Sequence, residues 1–340
     1  MSVGLDIGSK TLKVVELEKV GSGFSLKAAG AVNFQSTQIE KLADQKAVDA
    51  FAQIIKKLFT DARISSKKVT ISIPESLIFM RTVKFPLLTN EEIESAVKWE
   101  AEEYIPIPVK DAIVRHKILE RQEVGNPPQV LVQVIAVPKL LIEKYMNVVN
   151  SAGLEVVAIE TELLALSRTW GSPDKTVILA DFGARTTNIA IVKNEQLFFS
   201  RSVPTAGEAF SRAVSLGLGV TPIQSEEYKA TYGLNDTQLE GKVGRSIRPV
   251  LTVIVDEIKK SMSYFQMETH NDIPRSLILS GGTSGLPGLA AELTRLLNME
   301  VQVGNPFSRP DLTVDAESAR SLASFAPIYA VAVGLALRED

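Results

Sequence analysis

The sequence contains no cysteine and only two histidines among its 340 residues. Without thiols there is no disulfide framework, and His116 and His270 are too few to suggest a zinc site. The 37 basic residues are offset by 40 acidic residues, which leaves a net charge of −3 and no basic stripe for a nucleic-acid backbone. We therefore expect no disulfides, no zinc site and no nucleic-acid partner.

Long hydrophobic runs are also missing. The apolar stretch near the C-terminus, Phe325 to Leu337, contains a proline and a glycine and is shorter than the roughly 18 to 20 residues that cross a bilayer. At the other end, Met1 to Asp6 reaches an acidic residue without the positive region and apolar run of a signal peptide. These patterns predict a protein that stays where it is made and that, if it meets a membrane, is held there by something else.

The chain does have enough apolar residues, 45%, to build two lobes, each with a sizeable core. Its first part alternates as β-strands and then shows the apolar period of a helix. The predicted elements are the strands Val3 to Ile7, Thr11 to Glu18 and Phe24 to Phe34, the helix Asp44 to Ala62, and the strands Val69 to Ile73 and Ile78 to Phe85. This order predicts an α/β fold whose opening hairpins make the sheet mixed.

Residues 86–153 differ from this pattern and predict an inserted unit. It contains a helix from Thr89 to Tyr104, with Thr89 and Glu92 as a capping box, then two strands split by the loop Glu123 to Pro128 and a helix ended by Gly153. From Leu154 the α/β pattern resumes, and a second hairpin covers Val177 to Phe199. We therefore expect the second half of the chain to be a variation on the first.

Two Asp-x-Gly triplets, Asp6-Ile7-Gly8 and Asp181-Phe182-Gly183, each follow an apolar strand and precede another strand. In such hairpins glycine lets the backbone approach a phosphate, Ser9 and Thr186 offer donors, and the aspartate can hold water on a magnesium ion. Either triplet alone is more simply an ordinary turn. The two together favour a phosphate site.

Three charged residues carry weaker signals. Lys13 alternates with apolar neighbours in its strand and could reach the phosphates, although a solvated strand lysine is the simpler interpretation. Glu160 and Glu162 follow the strand Leu154 to Ile159, where a carboxylate could orient attacking water. Helix capping is the alternative for both, and it is the preferred one for Glu160.

A nucleoside surface is suggested by Leu277 to Gly285, where a buried strand runs into the glycine-rich turn of Gly281, Gly282 and Thr283. A flexible strand-helix connection is the alternative. Glu226 and Lys229 share one face of a helix predicted to begin near Ser225, so they could contact the ribose and the base. A solvated surface pair is the alternative there.

Taken together, the motifs resemble those of the superfamily of actin, Hsp70 and hexokinase, in which ATP lies between two ribonuclease-H-like lobes. They occur in the same order: a first phosphate motif at Leu5 to Leu17, a connector at Ile159 to Ala165, a second phosphate motif at Ile178 to Val192, an adenosine motif at Leu277 to Leu289 and a second connector at Ala326 to Leu337.

The resemblance implies ATP and Mg²⁺ as ligands. It assigns Asp6 and Asp181 to magnesium through water, Glu162 and Asp181 to catalysis, and the remaining positions to the nucleotide: Gly8, Ser9, Lys10, Lys13, Gly183, Thr186, Glu226, Lys229, Gly281, Gly282 and Thr283. Lys10 departs from the family pattern, because a small residue is often found there. Hydrolysis is expected to be slow.

Within the superfamily, Ile93 to Pro106 in the inserted unit is similar to the signature of the PilM family of type IV pilus assembly proteins. Pro74 to Ser76, Arg81 to Pro86 and Ala152 to Leu154 are also placed as in that family. The resemblance implies an inserted 1C-type α+β subdomain, shared with FtsA. It further implies a cytoplasmic adaptor that binds the N-terminal tail of PilN, lies peripherally at the inner membrane through that partner and links it to the pilus motor ATPases or to a related type II secretion-like machinery.

The partner is expected to contact Trp99, Tyr104 and Ile105 on the first helix of the insertion. The first lobe is expected at 1–85, the insertion at 86–153 and the return to the first lobe at 154–175. The second lobe is expected at 176–204 and 276–324, with a 2B-like subdomain at 205–275 between them. A connector helix is expected at 325–340. An FtsA-like filament protein is the alternative, disfavoured by the absence of a C-terminal amphipathic helix after Leu337. A small-molecule kinase is a further alternative, for which the sequence offers no carboxylate base at a sugar-sized pocket.

Overall fold

The structure is a computed structural model and describes residues 1–35, 37–122, 127–173, 175–269 and 272–339. Most of the predicted loop Glu123 to Pro128, and His270, lie outside the described residues. The strands form three sheets of six, five and three strands. The larger two belong to the two lobes, and the smallest belongs to the insertion.

The strands are numbered in chain order: β1 Ser2–Ile7, β2 Thr11–Val20, β3 Gly23–Asn33, β4 Lys68–Ile73, β5 Phe79–Pro86, β6 Ala112–Gln122, β7 Gln129–Pro138, β8 Glu155–Thr161, β9 Thr176–Phe182, β10 Thr187–Lys193, β11 Gln196–Val203, β12 Ser276–Ser280, β13 Glu300–Val303 and β14 Leu312–Thr313.

The helices are α1 Gln45–Asp61, α2 Asn90–Tyr104, α3 Lys139–Ser151, α4 Glu162–Trp170, α5 Gly207–Leu218, α6 Pro222–Tyr232, α7 Lys242–Glu268, α8 Leu289–Leu297, α9 Ala316–Leu322 and α10 Ala330–Ala336. A short 3-10 helix, Glu75–Leu77, joins β4 to β5, and another, Ala323–Tyr329, joins α9 to α10.

The two large sheets repeat one plan. Apart from β14 at its edge, the first sheet has the order β3-β2-β1-β4-β8, and the second has β11-β10-β9-β12-β13. In each, an antiparallel hairpin is followed by parallel neighbours. The sheets are therefore mixed and the halves are related, as the sequence predicts.

Helix ends follow their capping residues. The α1 helix begins after Asp44, whose Oδ1 accepts a hydrogen bond from the Ala47 N–H at 2.8 Å, and α2 has the predicted capping box of Thr89 and Glu92. The α6 helix begins before the predicted Ser225, because Thr221 and Gln224 form a second capping box that the sequence analysis missed.

The α4 and α10 helices cross closely between the two sheets. A Cβ atom at Gly334 of α10 would collide with the Ala165 carbonyl oxygen of α4, and one at Gly4 of β1 would collide with the Ala332 oxygen of α10. Glycine is therefore required at both positions for this packing. These helices join the lobes at the base of the cleft between them.

The run Ala316–Ala336 is long and apolar enough by length and composition to cross a membrane, but half of its most apolar window is buried within the protein. All of α10 is buried, in contact with β1 and α4. The run therefore behaves here as part of a protein core.

The insertion differs from its predicted outline. The strand expected at Ile78 to Phe85 was assigned to the first lobe, but β5 pairs with β7, from Phe79 opposite Ala136 onward, in the sheet order β5-β7-β6. The α3 helix, assigned to the insertion, packs on α1 in the core of the first lobe. Local sequence patterns do not specify strand partners or helix contacts. From the observed contacts we propose that the insertion runs from β5 to β7.

One further strand lies away from its expected lobe. The short strand β14 falls in the 276–324 segment assigned to the second lobe, yet it pairs with β3 in the first sheet, with Leu312 opposite Phe24. The chain therefore returns to the first lobe before the expected connector helix.

Candidate functional site

A cleft of about 1570 Å³ separates the two large sheets. This exceeds the roughly 300 to 1,000 Å³ of ordinary small-molecule pockets, so it has room for a nucleotide. All of the residues predicted for the nucleotide, the metal and catalysis line this cleft: Asp6, Gly8, Ser9, Lys10, Lys13, Glu162, Asp181, Gly183, Thr186, Glu226, Lys229, Gly281, Gly282 and Thr283.

In the first hairpin, Asp6 is buried near the end of β1 and lies opposite Lys13 of β2. Lys13 Nζ donates to Asp6 Oδ2 at 2.9 Å, and Ser72 Oγ of the parallel neighbour β4 donates to Oδ1 at 3.1 Å. Burial alone would lower the pKa of Lys13, but the charge of Asp6 and the hydrogen bond to it raise the value overall. Lys13 is thus held as a cation beside the turn, which excludes the simpler interpretation of a solvated lysine.

The first turn also needs its glycine. A Cβ atom at Gly8 would lie 2.9 Å from both Lys13 Nζ and the Thr11 carbonyl oxygen. Because real Cβ atoms do not approach so closely, a side chain here would displace the lysine. The backbone is therefore left open toward the cleft.

In the second hairpin, Asp181 near the end of β9 lies opposite Asn188 of β10. Ser280 Oγ of the parallel neighbour β12 donates to Asp181 Oδ1 at 2.8 Å. Burial raises the pKa of Asp181, although the Ser280 hydrogen bond and the charge of Lys13 oppose the rise. This carboxyl therefore has a hydroxyl but no directly bonded cation among the described residues.

Glu162 lies between the two aspartates. It is the first residue of α4, after the capping Thr161, and its Oε2 accepts from Asn188 Nδ2 at 2.8 Å and from the Glu75 N–H at 3.3 Å. Burial, followed by the negative charges of Asp6 and Asp181, raises its pKa well above the usual range. Such a carboxyl is suited to accept a proton from a water molecule.

The three carboxylates share one lysine, so the site has an excess of negative charge that a divalent cation would relieve. Within the described part of the chain, no group of three or more acidic, histidine or cysteine side chains is arranged to hold a metal ion directly. Mg²⁺ usually keeps several of its waters and takes only one or two carboxylates together with substrate phosphates. The residues therefore fit a magnesium ion held largely through water.

Glu160 lies elsewhere. Its Oε1 accepts from Arg168 Nη2 at 2.8 Å and from Arg338 Nη1 at 2.7 Å. Glu160 therefore joins β8 to α4 and to the C-terminal segment through ion pairs. The preferred interpretation of Glu160 as a helix cap was wrong, because Thr161 caps α4.

Near the second hairpin, Lys229 Nζ donates to Glu226 Oε1 at 2.6 Å and to Ser211 Oγ at 3.0 Å. Lys229 is buried and Glu226 is exposed. Gly282 also lines the cleft, and a Cβ atom built there would meet no atom within 4 Å. The bare backbone and the buried lysine form a surface on which a flat ring could lie.

Lys10 lines the cleft, but its ammonium group is engaged in an ion pair. Its Nζ forms an ion pair with Glu208 Oε1 at 3.1 Å, and Arg185 Nε contacts the same oxygen at 3.3 Å. Lys10 belongs to the first turn, whereas Glu208 and Arg185 belong to the second half. Lys10 therefore links the two lobes at the opening of the cleft.

Sequence reasoning missed several polar partners, notably Ser72, Ser280 and Asn188. Ser72 and Ser280 occupy the same place in the two sheets, on the parallel strand next to each aspartate. They follow their aspartates by 66 and 99 residues, so aligning the two halves on their Asp-x-Gly triplets does not relate the serines, and only the strand pairing does. Asn188 lies opposite Asp181 as Lys13 lies opposite Asp6, so the same alignment would have found it.

A second, smaller cavity of about 330 Å³ lies in the insertion. We call it the insertion groove. Its walls are β5, the end of α2 and β7, with these lining residues: Ile78, Phe79, Met80, Arg81, Val83, Glu100, Ala101, Tyr104, Ile105, Val134 and Ala136.

Only two of the three predicted partner residues line this groove. Tyr104 stacks under the Arg81 guanidinium, with 3.9 Å from the guanidinium carbon to the ring centroid, and Ile105 is half-buried beside it. Trp99 is 76% exposed and does not line the groove. At about 100° per residue, Trp99 lies roughly 200° around α2 from the buried Val97, so it projects from the outer face.

The family model for the type IV pilus assembly protein PilM matches residues 4–340. The chain belongs to the PilM family. It is 29% identical to the matched chain of a solved PilM-PilN type IV pilus biogenesis complex, with a TM-score of 0.83 over 99% of this chain and 98% of that one. The family membership predicted from the insertion helix is thus confirmed.

More distant similarities show the fold. A structure of MreB5 of Spiroplasma citri bound to AMPPNP is 14% identical, with a TM-score of 0.52 over 98% of this chain and 93% of that one. The cell division protein FtsA of Bacillus subtilis is 22% identical over 89% of this chain and 78% of that protein. The predicted actin-like ATPase fold is confirmed, and the 1C type of the insertion stays a prediction.

Proposed function

We propose that this PilM-family chain is a nucleotide-dependent adaptor that binds MgATP in the cleft and a peptide of a membrane partner in the insertion groove. The observation that carries the nucleotide part is the convergence of one buried and two half-buried carboxylates, the half-buried Lys13 and two glycine hairpins at the same cleft. MreB5, which shares the fold, was solved with a nucleotide analogue, and this supports the same ligand class here.

In this proposal the turns at Gly8 and Gly183 lie against the phosphates, with Ser9 and Thr186 as donors and Lys13 as the balancing charge. Asp6 and Asp181 hold magnesium through its waters. The ion, when bound, neutralises charge on the phosphates. Glu162, already held by Asn188, accepts a proton from the attacking water.

We expect slow turnover, because an adaptor requires a long-lived closed state. Glu162→Gln should keep MgATP affinity within about threefold of the parent and lower the hydrolysis rate by about a hundredfold or more, the usual contribution of a general base. Calorimetry gives the affinity, and phosphate release gives the rate. Glu143→Gln, an exposed carboxyl of α3, is the matched control. Hydrolysis at many turnovers per second would contradict the adaptor role.

The partner proposal rests on the insertion groove and on the solved PilM-PilN complex, which is similar to this chain over nearly its whole length. We propose that the cytoplasmic N-terminal tail of a PilN-type protein occupies the groove and holds the adaptor at the inner membrane, where it communicates with the motor ATPases. An extended tail gains affinity from a preformed groove whose walls are mostly apolar side chains, with two aromatic rings and the charged Arg81 and Glu100.

Two variants, one at the groove end of α2 and one on its outer face, test the partner site. Tyr104→Ala should weaken binding of a synthetic PilN tail peptide by about tenfold or more, because it removes an aromatic anchor at the groove. Trp99→Ala changes an equally large side chain on the outer face of α2 and should leave the affinity unchanged. A loss at Trp99 with none at Tyr104 would place the peptide on the outer face instead.

A membrane-associated filament protein is the second candidate, favoured by the similarity to FtsA. Filament formation predicts MgATP-dependent sedimentation of the purified protein at high speed. An adaptor of the kind proposed stays in the supernatant until its membrane partner is added.

A further inference from the structure

Glu75 is a buried carboxyl that lies near polar groups but forms no well-aligned hydrogen bond with them in the part of the chain that the structure describes. Only 5% of the residue is exposed, and neither carboxyl oxygen accepts or donates a hydrogen bond among the residues that the structure describes. Burial raises its pKa to about 7, although the nearby Ser200 and Thr161 hydroxyls and the Leu163 N–H oppose the rise. An unsatisfied group of this kind costs stability, so packing alone does not account for it.

Three parts of the molecule meet at this side chain. Glu75 belongs to the 3-10 helix that leads from the first sheet into β5 of the insertion. Thr161 and Leu163 come from the start of α4, which crosses between the lobes, and Ser200 comes from β11 of the second lobe. Any relative movement of the lobes or the insertion therefore changes the surroundings of this carboxyl.

The same segment touches both proposed sites. Pro74, Ser76 and Leu77 line the cleft, whereas the chain from Ile78 to Arg81 lines the insertion groove. The Glu75 N–H donates to Glu162 Oε2 at 3.3 Å, beyond the 2.7 to 3.2 Å of well-formed bonds. A displacement of less than about 1 Å would make or break this bond.

We propose that Glu75 is a positioning residue that couples the insertion groove to the nucleotide cleft. Peptide in the groove shifts β5, the shift moves the turn that holds Glu75, and Glu162 gains or loses the Glu75 N–H. The carboxyl of Glu75 sets the resting position of the turn, because it is wedged between α4 and β11. The inference rests on the two sites proposed above, and the coupling must be reciprocal.

The test is a binding cycle on the whole chain. Calorimetry measures the dissociation constant of MgATP with and without a saturating PilN tail peptide, in the parent and in Glu75→Gln, which keeps the shape and removes the charge. In the parent we expect the peptide to change MgATP affinity by at least about fivefold, the lower end of typical couplings. In Glu75→Gln that factor should fall below about twofold, with each separate affinity nearly unchanged.

Glu16→Gln is the matched control. Glu16 is equally buried, but its carboxylate accepts from the Ser65 and Ser66 N–H groups at the far end of β2. This variant should keep the coupling of the parent. If Glu75→Gln does not fold, Ser200→Ala should also lower the coupling factor, because it removes the hydroxyl beside Glu75. Ser200 Oγ also contacts Met80 Sδ of the groove wall at 3.2 Å, so the peptide affinity of this variant without nucleotide is measured first and should match that of the parent.

The possible outcomes distinguish a failure of the proposed function from a failure of the proposed coupling. A parent that fails to bind MgATP or the peptide overturns the proposed function and this inference with it. A parent that binds both with no coupling, or with a coupling that Glu75→Gln and Ser200→Ala leave unchanged, overturns only the inference.

Discussion

The two halves of the molecule present the same hairpin with different chemistry. In both, an aspartate near the end of the first strand accepts a hydrogen bond from a serine of the parallel neighbour. The residue opposite the aspartate differs: Lys13 faces Asp6, whereas Asn188 faces Asp181. The first half therefore holds its carboxylate by an ion pair, and the second uses the equivalent position to hold Glu162.

This difference shows how a repeated fold acquires one asymmetric site. Two lysines at these positions would leave only one net negative charge among the three carboxylates and would remove the Asn188 amide that donates to Glu162. Two asparagines would leave the aspartates and Glu162 as adjacent negative charges with no directly bonded cation among the described residues. One of each balances part of the charge and leaves the remainder for a cation.

The largest expected loss of stability comes from a substitution in the first hairpin. Asp6→Ala leaves Lys13 as an unpaired charge with only 15% of its side chain exposed, and removing one partner of a buried pair costs about 3 to 5 kcal/mol. We expect urea denaturation to show a loss of this size and MgATP binding to disappear. Lys13→Met added to Asp6→Ala should restore much of the stability but not the binding. A single variant as stable as the parent would show that the pair contributes nothing.

Glu75 extends the comparison to a carboxyl that accepts no well-aligned hydrogen bond from the described residues. Its pKa is about 7 in the folded protein against 4.5 as the ordinary value, so the folded state binds the proton more tightly. The free energy of unfolding should therefore decrease as pH rises from about 4.5 to 7, by up to about 3 kcal/mol, and stay level above that.

Glu162 and Asp181 also have raised pKa values, so the parent alone cannot isolate this contribution. The difference between the parent and Glu75→Gln, followed by denaturation at several pH values, should decrease across the same window. Parallel curves for the two proteins would mean that Glu75 is charged as easily in the folded state as in the unfolded one.

Substitution of the aspartate in the second hairpin should affect stability less than substitution in the first. Asp181 has no cation bonded to it among the described residues and its pKa is raised by burial, so Asp181→Asn should leave stability equal to or above that of the parent. Loss of a carboxylate that holds a metal through water typically lowers metal affinity by about 10- to 100-fold. Calorimetry at several magnesium concentrations measures this. Equal destabilisation by Asp181→Asn and Asp6→Ala would remove the distinction between the hairpins.

The smallest effect concerns the contact between the two turns. Lys10 and Glu208 are 52% and 35% exposed in their side chains, and exposed pairs contribute about 0.2 to 1 kcal/mol. A double-mutant cycle on the nucleotide dissociation rate, with Lys10→Ala and Glu208→Gln, should give a coupling in this range that weakens with added salt. Opposite effects of the two single variants would instead indicate that Glu208 competes with phosphate for Lys10.

Local patterns were enough for much of this molecule. The Asp-x-Gly turns, the capping box of Thr89 and the strand alternation around each hairpin depend on residues within a few positions of one another. The order of the motifs and the similarity of the insertion helix then led to the actin-like fold and the PilM family, both of which the comparisons confirm. The residues predicted for the nucleotide all reach one cleft, although their roles stay predictions.

The tertiary structure decided what depends on distant residues. Neighbours along the chain do not specify that β5 joins β7, that α3 joins the first lobe or that Trp99 turns away from the groove. The same holds for side-chain partners: Ser72 bonds Asp6 across 66 positions, and Ser280 bonds Asp181 across 99. The sequence by itself determined the elements and the candidate residues, because turns, caps and periodicity are local. Only the packed fold decided which charges are paired and which, like Glu75, are left alone, because burial and pairing depend on what the rest of the chain places around each group.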